Sequence, residues 1–565
     1  MDARPARMAV TAFVLSSCLP FPVAIAAERP EVRRVRGIVH RHQRWTGRVI
    51  ITGDVQILDA AVTILPGTIV EFAGESSPTV LSVGAGLGGG GRLDVQATPD
   101  APVMFRSADQ SARGQIRIFL NAAARDGRVD AITVNGRPAF IRPDAPHSWR
   151  NVHFANLCRE AALVVHAQGP GPGVEIDSCR FTDSGPVVIE TDGAAPVAFT
   201  QNRIESSLSP AGLRIDAGRS ATPNGVVTVR GNLMSNGIVV AGGVARIEEN
   251  QLIGPTASVT VGLGADPATV VRDNYVHCHS TDSRRYVFRS DAADVVVTGN
   301  VFFGGAFGVY RGTRRMSGNV FAGATQRADD TDGGATQVLV ASLPAGAVFE
   351  NNLLLGPAHS MLIPQPAAAV SSNAGAGEAT RVRHNVFDGR KSVARVIHLN
   401  PPHSGWADVE ITSNLFLHAP SMVMIESEAP ARITAIDHNA AAPRPRFVIL
   451  RPGAAPDLDA APELGAGFLA FDSVEGLGLH GADWLSDEPV WPHALTDGLS
   501  IRSFRESLMT KFGARSNSPL CESDGSVNGS TANEPAPRIG LRPATDKATS
   551  LRGPRQTAAS IAGEP

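Results

Sequence analysis

The stretch Val295-Val296-Val297-Thr298-Gly299-Asn300-Val301-Phe302 is answered, 19 residues after its asparagine, by Asn319 in Met316-Ser317-Gly318-Asn319-Val320-Phe321. The phrase is a β-branched run, a turn residue, an asparagine and two apolar residues. It returns on both sides of this pair. Before it stand Asn202-Arg203-Ile204, Asn232-Leu233-Met234, Asn250-Gln251-Leu252 and Asn274-Tyr275-Val276. After it stand Asn352-Leu353-Leu354, Asn385-Val386-Phe387 and Asn414-Leu415-Phe416. Successive asparagines are 18 to 33 residues apart. That scatter does not suit helical repeats of fixed length, but it suits a solenoid whose coils bulge at one turn. Val226-Val227-Thr228-Val229, Ile238-Val239-Val240 and Val259-Thr260-Val261 have the length and composition of strands. Between residues 150 and 440 no apolar period of 3.6 persists over a helix length.

The repeat therefore reads as an all-β fold, a single-stranded right-handed parallel β-helix in which three parallel sheets wind as a solenoid. The hand follows the general preference of parallel crossovers. Asparagine tolerates left-handed backbone, so the asparagines are expected at the turn itself, their amides bonding along the stack. The apolar residue two positions later is expected to point inward.

The chain has 565 residues, 43% of them hydrophobic and 19% charged, which is globular composition. Glycine (57) and proline (40) together suit a fold that turns every few residues. A net charge of −3 supplies no field to recruit nucleic acid, and the reading is a monomer without a nucleic-acid partner. Cys158 and Cys179 lie 21 residues apart; a disulfide and two buried thiols both remain open readings.

Residues 1–26 read as a signal peptide: Arg4 and Arg7, an uncharged stretch from Met8, then Ala24-Ile25-Ala26. Ser16, Ser17, Pro20 and Pro22 interrupt it, so no transmembrane helix is expected. The mature chain is expected outside the cytoplasm, with lipidation at Cys18 in Leu15-Ser16-Ser17-Cys18 as the lesser alternative. Residues 36–450 form the expected β-helix domain, preceded by a basic, polar cap over residues 28–44. Residues 451–512, with Trp484, Trp491 and a short helix near Ile501–Met509, are expected to cap the far end. Residues 513–565 read as a disordered tail.

The opening coils carry Trp45-Thr46-Gly47, Ile51-Thr52-Gly53-Asp54-Val55, Val62-Thr63-Ile64-Leu65-Pro66-Gly67-Thr68, Arg92-Leu93-Asp94-Val95 and Phe105-Arg106-Ser107. These resemble the first coils of pectin-lyase-like β-helix proteins, a group that includes lyases, hydrolases, epimerases and proteins with no known reaction.

Candidate chemistry centres on residues 275–289, which hold Tyr275, Tyr286, His277, His279, Arg284, Arg285 and Arg289, with Tyr310 and Arg311 about a coil later. Phe288-Arg289-Ser290, Tyr310-Arg311-Gly312 and the intervening Asn phrase resemble the catalytic stretch of alginate lyase and chondroitinase-B-type β-helix lyases. That resemblance implies β-elimination on a uronate-containing polysaccharide. Arg289 stands at the family's lysine base position, Arg311 at its arginine, and Gly312 where the family has histidine. Arginine's high pKa makes proton abstraction difficult. On this reading Arg311 neutralises the carboxylate, and Tyr286, His277 or His279 takes the proton. Tyr310 and Arg285 are assigned to substrate binding, as are Arg390 and Lys391 of a second basic cluster. No metal ligand set is assigned; calcium at Asp329, Asp330 and Asp332 and an ordinary acidic loop are both open. The competing reading is a non-catalytic envelope scaffold or binding protein.

Overall fold

The computed structural model describes residues 32–74, 78–84, 91–108, 113–121, 147–168, 173–191, 196–205, 211–217, 226–265, 268–279, 286–304, 307–323, 338–356, 360–364, 379–389, 395–399, 409–419, 421–425, 433–445, 447–450, 469–474, 477, 479 and 500–512. The leader with Cys18, the tail from residue 513, Trp484 and Trp491 lie outside the described residues.

The chain is a parallel β-helix. The coils build three sheets, mostly from short strands, although Gly237–Glu248 runs through two of them. Sheet 1 follows the asparagine and includes Tyr275–Cys278, Val301–Gly304 and Val320–Ala322, paired in parallel one coil apart. Sheet 2 includes Val259–Ala265, Tyr286–Ser290 and Phe307–Tyr310. Sheet 3 includes Val295–Thr298 and Thr313–Ser317. Among the described residues the first strand is Val32–Val39, which pairs in parallel with Arg48–Ile57.

The asparagines form one continuous ladder through Asn202, Asn232, Asn250, Asn274, Asn300, Asn319, Asn352, Asn385, Asn414 and Asn439. From Asn232 onward each Oδ1 accepts both the backbone N–H and the side-chain amide of the asparagine one coil earlier, at 2.8–3.1 Å. All ten are buried, so the ladder satisfies donors that would otherwise be costly to remove from water. One expectation needs correcting. The left-handed residue is not the asparagine but the one before it: Gln201, Gly231, Glu249, Asp273, Gly299, Gly318, Asn351, His384, Ser413 and His438, with φ from 52° to 68°. Placing the turn there aims the asparagine inward, where its amide can meet the next coil.

The residue two positions after each asparagine is inward as expected: Ile204, Leu252, Phe302, Phe321, Phe387 and Phe416 are all buried. Phe302 stacks on Phe321 at 5.5 Å between ring centroids, and Phe387 on Phe416 at 5.1 Å. Cys158 and Cys179 are buried, unbridged thiols. The Cys179 N–H donates to Asn202 Oδ1 at 2.9 Å, so Cys179 fills the ladder slot one coil below the first asparagine.

The C-terminal segment runs along the side of the rod instead of only closing its end. Leu469–Ala470 pairs with Ala440–Ala442. The helix Ile501–Lys511 reaches back to the Tyr275 coil, where Phe504 meets Tyr275 at 6.0 Å and Arg505 pairs with Asp273 at 2.7 Å. Ile501, Leu508 and Phe512 belong to one buried cluster with the outward residues Tyr275, Val301, Val320, Leu353, Val386 and Leu415 of sheet 1. Sheet 1 is therefore buried on both faces from Tyr275 onward, whereas Arg203 at the same position in an earlier coil is exposed.

Candidate functional site

Sheet 2 is where the surviving candidates meet. From Phe288 to Ser290 the side chains alternate, putting Phe288 and Ser290 inside and Arg289 outside, while a register shift between Tyr286 and Phe288 leaves Tyr286 exposed. Arg289 stands in an outward column with Arg214, Val239 and Thr260 of earlier coils. Its guanidinium lies 5.6 Å from the centroid of the Tyr286 ring, whose side chain is exposed. Arg289 Nε also donates to Asp291 Oδ2 at 2.6 Å, and Arg311 Nη1 lies 4.0 Å from the other oxygen of that carboxylate. Asp291 thus orients two guanidiniums from adjacent coils on one open face. Its side chain is largely covered while both arginines reach solvent.

Asp291 was missed by sequence reasoning, although the signal was present. Residues two apart in a strand direction share a face, so Arg289 and Asp291 belong together once Ser290 points inward.

Tyr310 is corrected. It is fully buried, stacked on Phe288 at 4.6 Å and edge-on to Phe321 at 6.0 Å. Burial pushes its hydroxyl well above the ordinary tyrosine range. It packs the core, and the register pairs it with inward Ser290, not with outward Arg289.

His277 is corrected as a partner of this cluster. His277 sits on sheet 1, in register between Ile253 and Phe303, and is buried. Its ring meets Phe303 at 4.4 Å, His279 at 4.1 Å and Tyr275 at 6.1 Å. Sequence proximity misled here, because the chain turns a corner of the coil between Cys278 and Tyr286. His279 is exposed, at the end of the sheet 1 strand.

Gly312 has a packing reason. A Cβ there would lie 1.4 Å from the Ala292 carbonyl oxygen, so no side chain fits without moving the backbone. Arg285, Arg390, Lys391, Asp329, Asp330 and Asp332 lie outside the described residues. Among the described residues no three His, Cys, Asp or Glu side chains converge to hold a metal ion. No described helix is long and apolar enough to cross a membrane.

No protein-family model and no curated protein matches the chain. A solved structure described as a mannuronic acid specific polysaccharide family 6 lyase from human gut microbiota is similar at 12% identity, covering 77% of this chain and 92% of that one, with a TM-score of 0.28.

Proposed function

We propose that this protein acts outside the cytoplasm on a uronate-containing polysaccharide, received on the outer face of sheet 2. The observation that carries the reading is the convergence of Arg289 and Arg311 from adjacent coils on Asp291, beside the exposed Tyr286. Planar guanidiniums suit bidentate binding of a sugar carboxylate. Neutralising that carboxylate makes the adjacent C–H more acidic, which is what β-elimination requires. Tyr286 is assigned the proton transfer. The C5 proton leaves, the C4–O bond breaks, a C4–C5 double bond forms, and the departing oxygen takes up a proton.

Incubating the full chain with alginate, pectate and glycosaminoglycans, with and without calcium, and following the ultraviolet absorbance of unsaturated product tests this reading. Product that disappears in Arg311→Ala supports it. Absence of product from every uronate overturns the elimination step. A binding-only envelope protein is the second reading, favoured because the buried His277 stands on sheet 1, so that among the described residues Tyr286 is the proton-transfer group set against Arg289. Retention of a uronate without product would establish it.

A further inference from the structure

Among the described residues Val32–Val39 is the first strand, paired with Arg48–Ile57 along one edge, and no described strand pairs with the other. Val35 and Val39 point inward and are buried. The outward row is Val32, Arg34, Arg36 and Ile38: Val32 lies beside Arg48, Arg34 beside Ile50 and Ile38 beside Gln56, while Arg36 stands over Gly53. Val32 and Ile38 are each 54% exposed, and with Tyr286 they are the only exposed large apolar side chains among the described residues. From residue 32 to 53 the chain carries six arginines, Arg33, Arg34, Arg36, Arg41, Arg44 and Arg48, and no Asp or Glu. Arg33 is engaged by Gln43 and the Arg44 carbonyl, and Arg48 by Glu71. Arg34, Arg36, Arg41 and Arg44 are exposed.

An open edge offers unpaired N–H and C=O groups to any compatible strand, and native edges are usually blunted by charge. Along the described strand Val32–Val39 the charge has one sign. It repels a second copy of the same edge, since like charges opposed across strands are unfavourable, but attracts an acidic strand. The two exposed apolar residues flanking the arginines call for side chains that a polysaccharide lacks.

We propose that this end of the rod docks an extended acidic segment of a partner protein, which adds as a further strand beside Val32–Val39. The segment carries apolar residues at its ends and carboxylates between them at alternate positions, matching the Val32, Arg34, Arg36, Ile38 row.

The experiment is fluorescence anisotropy of the full chain with a labelled peptide Val-Thr-Glu-Thr-Glu-Thr-Val. Saturable binding is expected, weakened by about tenfold or more in an Arg34→Glu, Arg36→Glu double variant. The lysine analogue of the peptide should bind that variant and not the original chain. Both substitutions lie on exposed side chains, and circular dichroism checks that the fold survives. Three results would overturn the proposal. A backbone N-methylated peptide that binds equally well would show that no strand forms. An oligouronate of equal charge that binds equally well would assign the patch to polyanions in general. Concentration-dependent dimerisation lost in the double variant, without peptide binding, would assign the edge to a second copy of the chain.

Discussion

The Asn300 side-chain carbonyl accepts two hydrogen bonds from Asn274, one from its backbone N–H at 3.0 Å and one from its amide at 2.9 Å. The Asn274 amide donates further to the Ile247 carbonyl at 2.7 Å. Each asparagine thus ties three coils together, and deleting one leaves donors unmet on its neighbour.

Asn300→Ala should therefore lower stability by about 2–3 kcal/mol, the cost of leaving buried polar groups without partners. Asn300→Asp should be worse, because it buries a charge in the ladder. Urea unfolding midpoints check both. Arg315→Ala, which removes a solvent-exposed partner of Glu350, should shift the midpoint far less.

Tyr310 separates packing from chemistry. Tyr310→Phe should leave uronate binding unchanged, whereas Tyr310→Ala should cost about 3–5 kcal/mol through the cavity left against Phe288 and Phe321. Binding isotherms and unfolding curves measured on the same preparations distinguish the two effects. Loss of binding in a fully folded Tyr310→Phe variant would contradict the inward placement.

The C-terminal helix should detach before the rod unfolds. Phe504→Ala and Arg505→Ala remove its contacts to Tyr275 and Asp273, and limited proteolysis should cut within residues 470–512 about tenfold faster while the rod stays intact. Equal cutting rates would show that the helix is held elsewhere.

Acid should destabilise the rod through its arginine-clamped carboxylates. Burial pushes the Glu350 carboxyl up, but hydrogen bonds from Arg315 and Arg383 outweigh it and hold the group below the usual carboxylate range. Glu71 between Arg48 and Arg106 follows the same balance. A depressed folded value means that the stabilisation is present above the unfolded value, near about 4.3 for glutamate, and is lost as pH falls through the folded value. Melting temperature should drop below about pH 4. The drop should be shallower in Glu350→Gln, which starts from a lower plateau.

Much of this fold was legible because the ladder requires one residue type at one place. Asn439 escaped notice because Ala440 and Ala441 follow it instead of bulky residues, and Cys179 because it occupies the slot without the amide. The side covered by the C-terminal segment is written in the residue after each asparagine, which changes from Arg203, Leu233 and Gln251 to an unbroken apolar run, Tyr275, Val301, Val320 and Leu353. Three- and four-residue strands are too short for periodicity to reveal that both faces are buried. The site was half legible. Arg289 and Arg311 come together because they stand one coil apart on one face, whereas His277 and Tyr310 were judged by closeness in sequence, which in a coiled chain crosses corners and alternates faces.

Calorimetric titration of alginate and pectate oligosaccharides into the wild-type chain, the Arg289→Ala, Arg311→Ala double variant and His277→Ala places the uronate on sheet 2 or removes it from there. Binding by the wild type and by His277→Ala, with affinity reduced by about a hundredfold in the double variant, is the predicted result. Equal affinity in all three proteins, or no heat of binding from any of them, would contradict it.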